Sequence, residues 1–312
     1  MFLKHLINPK PSIILLFIVF CIVLVILPLF QFGISTVFYH SHLPPLAVLS
    51  LALIIPFFLS TGLNNIIYDK NIIRKDNFVV GFVFILISSP FINSVEIWGA
   101  SFLLLFAFNF LLESYQKDLP FSYFYNASII LGSLTFIFPN LIWLALVIVI
   151  WGINYSNLNW RVIFTILLAL ATPYLFYFVF VFVSRGSFLA PNFFDFTLVS
   201  LPYFQDLHQA KIIWLCILAL IMLFSFLELF LWLYKKSIKS RRTFITIIWF
   251  FLITTLIAIY SSWQYFYFAL VPLAVIIGNY FVYTSKRKVA NILFFLLVIS
   301  SFYYKYMIGF NV

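Results

Sequence analysis

The sequence predicts an all-α fold, a polytopic bundle of transmembrane helices, and three observations predict it. Of 312 residues, 65% are hydrophobic and only 8% are charged, where a soluble domain carries roughly a quarter charged residues. The mean hydropathy is +1.15. The few Lys and Arg residues sit in short clusters between apolar runs. A water-soluble core cannot hide so much apolar surface, so lipid must be the solvent for much of the chain. No polar stretch is long enough to fold separately in water, and 1–312 reads as a single integral membrane domain.

A spanning helix needs about 20 apolar residues, and eleven runs are candidates. They are Ser12–Phe30, Leu46–Leu63, Phe78–Ile92, Ile97–Leu112, Ser122–Phe138, Leu141–Ile153, Arg161–Ser184, Ile212–Tyr234, Thr243–Tyr260, Tyr265–Tyr283 and Val289–Tyr306. Lys4 and Lys10 precede the first, as in a signal peptide. The bulky Leu27-Pro28-Leu29-Phe30-Gln31 offers no cleavage site, so a retained first helix is expected. The third and sixth runs are short, which suits tilted or partly re-entrant segments. Pro139-Asn140 alone separates the fifth from the sixth and reads as a tight helical hairpin. Pro56, Pro173 and Pro272 fall inside runs, where each removes a backbone hydrogen bond.

Orientation follows from Lys235–Arg242, KKSIKSRR, the densest charge on the chain. With this loop in the cytoplasm, alternation puts Lys4, Lys10, Lys70, Arg74, Lys75, Lys117, Arg161, Lys286, Arg287 and Lys288 inside as well. Fifteen of the eighteen Lys and Arg are then internal, and Arg185, Lys211 and Lys305 external. This is the positive-inside pattern, with the N-terminus inside and the C-terminus outside. The same scatter argues against nucleic acid as the reason for the net charge of +10. Cys21 and Cys216 both lie in apolar runs, as packing thiols do, and no redox motif is present.

Few residues offer chemistry. Glu228 is an acid within a span, which marks a proton or substrate site. It also stands seven residues before Lys235, two turns along one face, where a snorkelling lysine could neutralise it. The longest external segment, Arg185–Lys211, is rich in aromatics and suits either the headgroup interface or a shielded connection. Its polar set is Arg185, Asp195, Asp206, His208 and Lys211, either a solvated rim or an acid–base group for a lipid-linked substrate. His40 and His42 alternate in the first external loop, yet no cysteine or acid there completes a ligand set, so neither metal nor cofactor is expected. Asn64, Asn65, Asn109 and Asn126 are placed to hydrogen-bond between helices. No phosphate-binding glycine loop, GxSxG or HExxH occurs.

Trp263-Gln264-Tyr265-Phe266-Tyr267-Phe268-Ala269-Leu270-Val271-Pro272-Leu273-Ala274 resembles the late helix of GT-C glycosyltransferases. Those polytopic enzymes use polyprenyl-phosphate sugars and often carry an Arg-Tyr pair before a leucine- and proline-rich helix. The resemblance implies a donor-phosphate contact at the position of Gln264, where this chain has an amide in place of the cation. It also implies an acid in the first external loop, but Gln31–Pro45 has none, leaving Glu96, Asp195 or Asp206 for that role. The overall make-up is similar to a family of multi-pass inner-membrane proteins of Bacteroidota, which implies a location and no activity. Three readings result. The first is a non-catalytic envelope-biogenesis component that assembles with other inner-membrane proteins. The second is a GT-C-like transferase using a polyprenyl-phosphate-linked sugar at the outer face. The third is a transporter or flippase.

Overall fold

The computed structural model describes residues 2–7, 9, 11–32, 44–91, 95–186 and 209–308. Those residues form twelve α-helices and three 3₁₀ turns, with no strand among them. The helices are α1 (Phe2–Leu6), α2 (Pro11–Phe32), α3 (Pro45–Asp69), α4 (Val79–Ser88), α5 (Val95–Glu113), α6 (Phe121–Leu134), α7 (Ala145–Asn154), α8 (Trp160–Arg185), α9 (Gln209–Leu233), α10 (Ile238–Tyr260), α11 (Phe266–Tyr283) and α12 (Arg287–Ile308). Helix is the expected outcome for such runs, because it satisfies every backbone polar group within the segment. Local signals set the ends. The Asn159 side chain accepts the Val162 N–H at 2.9 Å to start α8, and Gly186, at φ 65°, closes it. Pro56, Pro173 and Pro272 each lie within a helix that continues past them.

Among the described residues, seven helices are long and apolar enough to cross a membrane, and not the eleven expected. They occupy Leu46–Asp69, Val95–Glu113, Trp160–Ser184, Gln209–Leu233, Ile238–Tyr260, Trp263–Tyr283 and Arg287–Met307. Val79–Phe91 and Pro139–Asn154 are shorter apolar helices, the fifth expected span is the 14-residue α6, and the first falls in the 22-residue α2. Sequence breakers shorten two of these segments. Ser89-Pro90 turns the end of α4 into a 3₁₀ segment, and Pro139 opens a six-residue 3₁₀ helix before α7.

The chain divides into two compact units. One comprises Met1–Ser101, Leu201–Lys236 and Leu270–Val312; the other, Phe102–Ser200 and Ser237–Ala269. In the first unit, α9 packs along α12, and α3 packs along α4. Phe17 nests among Phe57, Phe78 and Phe82, with ring centroids 4.8–5.8 Å away. Helix α11 is the most deeply buried span. Gly278 lets it approach α4, since a methyl group there would stand 2.7 Å from Val80 Cγ2. Trp214 is a polar and aromatic junction at the far end of α9. Its indole N–H donates to Ser301 Oγ at 3.3 Å, and its ring lies 5.4 Å from Tyr304 and 6.4 Å from Phe91.

In the second unit, α6 and α8 are closely packed at Gly132, where a methyl group would meet the Leu170 carbonyl oxygen at 2.8 Å. The short α7 and its preceding 3₁₀ helix run beside α10, and the end contacts show how far. Asn140 donates to Ser261 Oγ at 2.7 Å at one end. At the other, Asn154 donates to Thr246 Oγ1 at 3.0 Å, and Tyr155 shares a 2.7 Å bond with Thr243. From Thr243 to Ser261 an α-helix rises about 27 Å. The 3₁₀ stretch, at about 2 Å per residue, lets the shorter segment cover nearly the same distance. A small apolar cavity of about 30 Å³ lies among Phe108, Leu131, Ile148, Trp151 and Phe250.

Candidate anion site

The charged group that the first unit assembles most closely lies where three separate stretches meet. The turn after α3 supplies Arg74 and Lys75, the end of α9 supplies Trp232 and Lys236, and the end of α11 supplies Tyr283. Aromatics at span ends are ordinary interfacial anchors. Here they also organise charge. Lys236 Nζ lies 3.9 Å from the Tyr283 ring centroid and 4.0 Å from the Trp232 ring. Lys75 Nζ is 5.2 Å from the same Tyr283 ring. The two rings are 4.9 Å apart and inclined at 43°. The Arg74 backbone N–H donates to the Tyr283 hydroxyl at 3.1 Å, which pins the cationic turn against the ring.

Electrostatics register the crowding. Burial chiefly, and then the charges of Arg74 and Lys75, pull the Lys236 amine down from its ordinary 10.5 to about 8. Ring faces relieve part of the repulsion through their quadrupoles. Next in the chain, Arg287 turns inward and donates to the carbonyls of Phe281 and Val282 at 3.1 Å each, so it caps α11. An ammonium on a ring face has three N–H donors and does not turn all of them to the ring. The chemistry on offer is recognition of an anion.

The expected residues are dispersed. Glu228 lies in α9, half-buried, within electrostatic range of the Tyr280 hydroxyl. Lys235, the lysine two turns along, is exposed beyond the end of α9. Glu96 is exposed in the first turn of α5, a favourable place for an acid at the positive end of the helix dipole. Gln264 is exposed in the 3₁₀ turn Trp263–Tyr265, and Arg185 is the last residue of α8. Asp195, Asp206, His208, His40 and His42 lie outside the described residues. Asn64 does link helices, donating to the Asn77 carbonyl at 2.8 Å and accepting the Gly81 N–H at 3.4 Å. Asn65 and Asn109 instead donate to Asp69 and Glu113, four residues along their own helices. Among the described residues no three His, Cys, Asp or Glu converge as a metal site.

Sequence reasoning missed two features. Trp232 and Tyr283, each close before a basic stretch, were a readable signal for cation–π pairing. Lys305, which alternation places externally, is only 4% exposed within α12, and its side-chain nitrogen has no hydrogen-bond partner among the described residues. Fold and site together define a multi-pass α-helical membrane protein with a cation–aromatic site at one end of a helix cluster. No protein-family model, curated protein or solved structure matches the chain.

Proposed function

We propose that the chain is a multi-pass component of the bacterial inner membrane that serves envelope biogenesis by binding and assembly, not by catalysis. In this reading it has eleven crossings, an internal N-terminus and an external C-terminus. The observation that carries it is the make-up of the site. Lys75, Lys236, Trp232 and Tyr283 recognise charge and shape, and they bring no carboxylate or nucleophile–base pair to one another.

Parity supports the crossing pattern. Lys75 and Lys236 share the Tyr283 ring, so their loops lie at one end of the first unit. Only three of the seven long helices lie between those loops, which would set them on opposite faces of a bilayer. The eleven-span pattern places three further crossings between them, an odd number that returns both loops to one face. Val79–Phe91, which packs along α12 and ends beside Trp214, supplies one. Purification in mild detergent with identification of bound species tests the assembly reading. A stable protein partner agrees with it; the chain emerging alone with only isoprenoid lipid contradicts it.

One observation favours a transferase as the second reading. The segment that resembles GT-C enzymes forms a 3₁₀ turn leading directly into a helix that contains Pro272. If it is correct, Asp195→Ala or Asp206→Ala abolishes sugar transfer from a polyprenyl-phosphate donor, and retained transfer removes its best acids.

A further inference from the structure

We infer that Arg74, Lys75 and Lys236, held on the rings of Trp232 and Tyr283, form a receptor for a phosphomonoester. The inference stands apart from whether the chain assembles with partners. Its first support is the cost of the arrangement. Two ammonium groups address one tyrosine ring, one at 3.9 Å and one at 5.2 Å from its centroid, with Arg74 fixed beside them through its backbone. Like charges this close repel, and the two rings offset only part of that. Three chain segments distant in sequence converge to make the cluster, so it is a product of the fold and not of one basic run.

The charge count selects the ligand class. A phosphodiester brings one negative charge and leaves about two positive charges unbalanced. A phosphomonoester carries about −1.5 to −2 near neutral pH and offers three acceptor oxygens. Those oxygens suit ammonium donors that point away from ring faces, as charge-assisted hydrogen bonds require. Asp69, which accepts a hydrogen bond from Asn65, and the exposed Asp76 keep their charges, but the charges that act on Lys236 are those of Arg74 and Lys75. The site also sits at the ends of two spans, Gln209–Leu233 and Trp263–Tyr283, at the depth of lipid headgroups. The phosphomonoester is therefore carried on a lipid or delivered free from solution, and the same side chains meet either.

The test uses the full chain in nanodiscs of phosphatidylcholine alone, or with phosphatidic acid, or with phosphatidylglycerol matched for total lipid charge. Brief acetic anhydride labelling and peptide mass spectrometry read Lys236 and Lys75 against Lys235, an exposed neighbour in the same loop that corrects for surface potential. Phosphatidic acid is expected to slow labelling of Lys236 several-fold relative to Lys235, while phosphatidylglycerol leaves the ratio unchanged. Inorganic phosphate added to phosphatidylcholine discs separates the sources. Protection there assigns a free ligand, and protection by phosphatidic acid alone assigns a lipid. Arg74→Gln leaves both reporting amines in place and is expected to weaken the protection. Equal slowing by both anionic lipids, no slowing by either phosphomonoester, or full protection in the Arg74→Gln variant overturns the inference.

Discussion

Lys236 and Lys305 show how differently one residue type is used within one unit. Lys236 lies beyond the end of its span, where burial first, and then the charges of Arg74 and Lys75, bring its amine down to about 8. Its labelling by an amine reagent in phosphate-free lipid should therefore rise through a midpoint near pH 8. A midpoint near the ordinary 10.5 would contradict the crowding. The sign for stability follows. The unfolded chain binds more protons than the folded one between about 8 and the ordinary 10.5, so Lys236 favours folding increasingly as pH rises through that window. Affinity for an anion moves the other way, because the charge is lost above pH 8. Lys305 is buried without a hydrogen-bond partner among the described residues, and an ammonium in that state is costly. Lys305→Met should raise stability to thermal unfolding by about 1–4 kcal/mol, the scale seen when buried charge gives way to apolar packing. A lower melting temperature would show that the ammonium is held by a favourable contact.

At the scale of elements, two glycines make a matched pair. Gly132→Ala would press a methyl group to 2.8 Å from the Leu170 carbonyl oxygen and should cost roughly 1–3 kcal/mol by separating α6 from α8. Gly99→Ala, inside α5 with nothing within 4 Å of the new methyl, should be neutral or stabilising by up to ~1 kcal/mol. Equal effects on thermal unfolding in detergent would contradict the packing described. The positions of the helices were legible in the hydropathy, the short segments near 78–92 and 141–153 included. Their 3₁₀ portions were not, because periodicity in a uniformly apolar run carries no information about hydrogen-bond pitch. Asn64 and Asn65 make the same point. Adjacent amides on one helix point in different directions, and only the packing of α4 decides that Asn64 is the one that bridges.

At the scale of the molecule, lipid as solvent was plain in the composition, and the seven long apolar helices agree with it. The site was half legible. Charge bias put Arg74, Lys75 and Lys236 on one side, but it says nothing about which loops touch, and residues so distant in sequence meet only through Tyr283. The most direct test of the account is sidedness. In a Cys21→Ala, Cys216→Ala background, single cysteines at Asp76 and Lys235, both exposed, are treated in intact cells with a membrane-impermeant maleimide. The account predicts that both stay unlabelled until the inner membrane is permeabilised, and that both then react. Labelling of either from outside, or of the two from opposite sides, would contradict it.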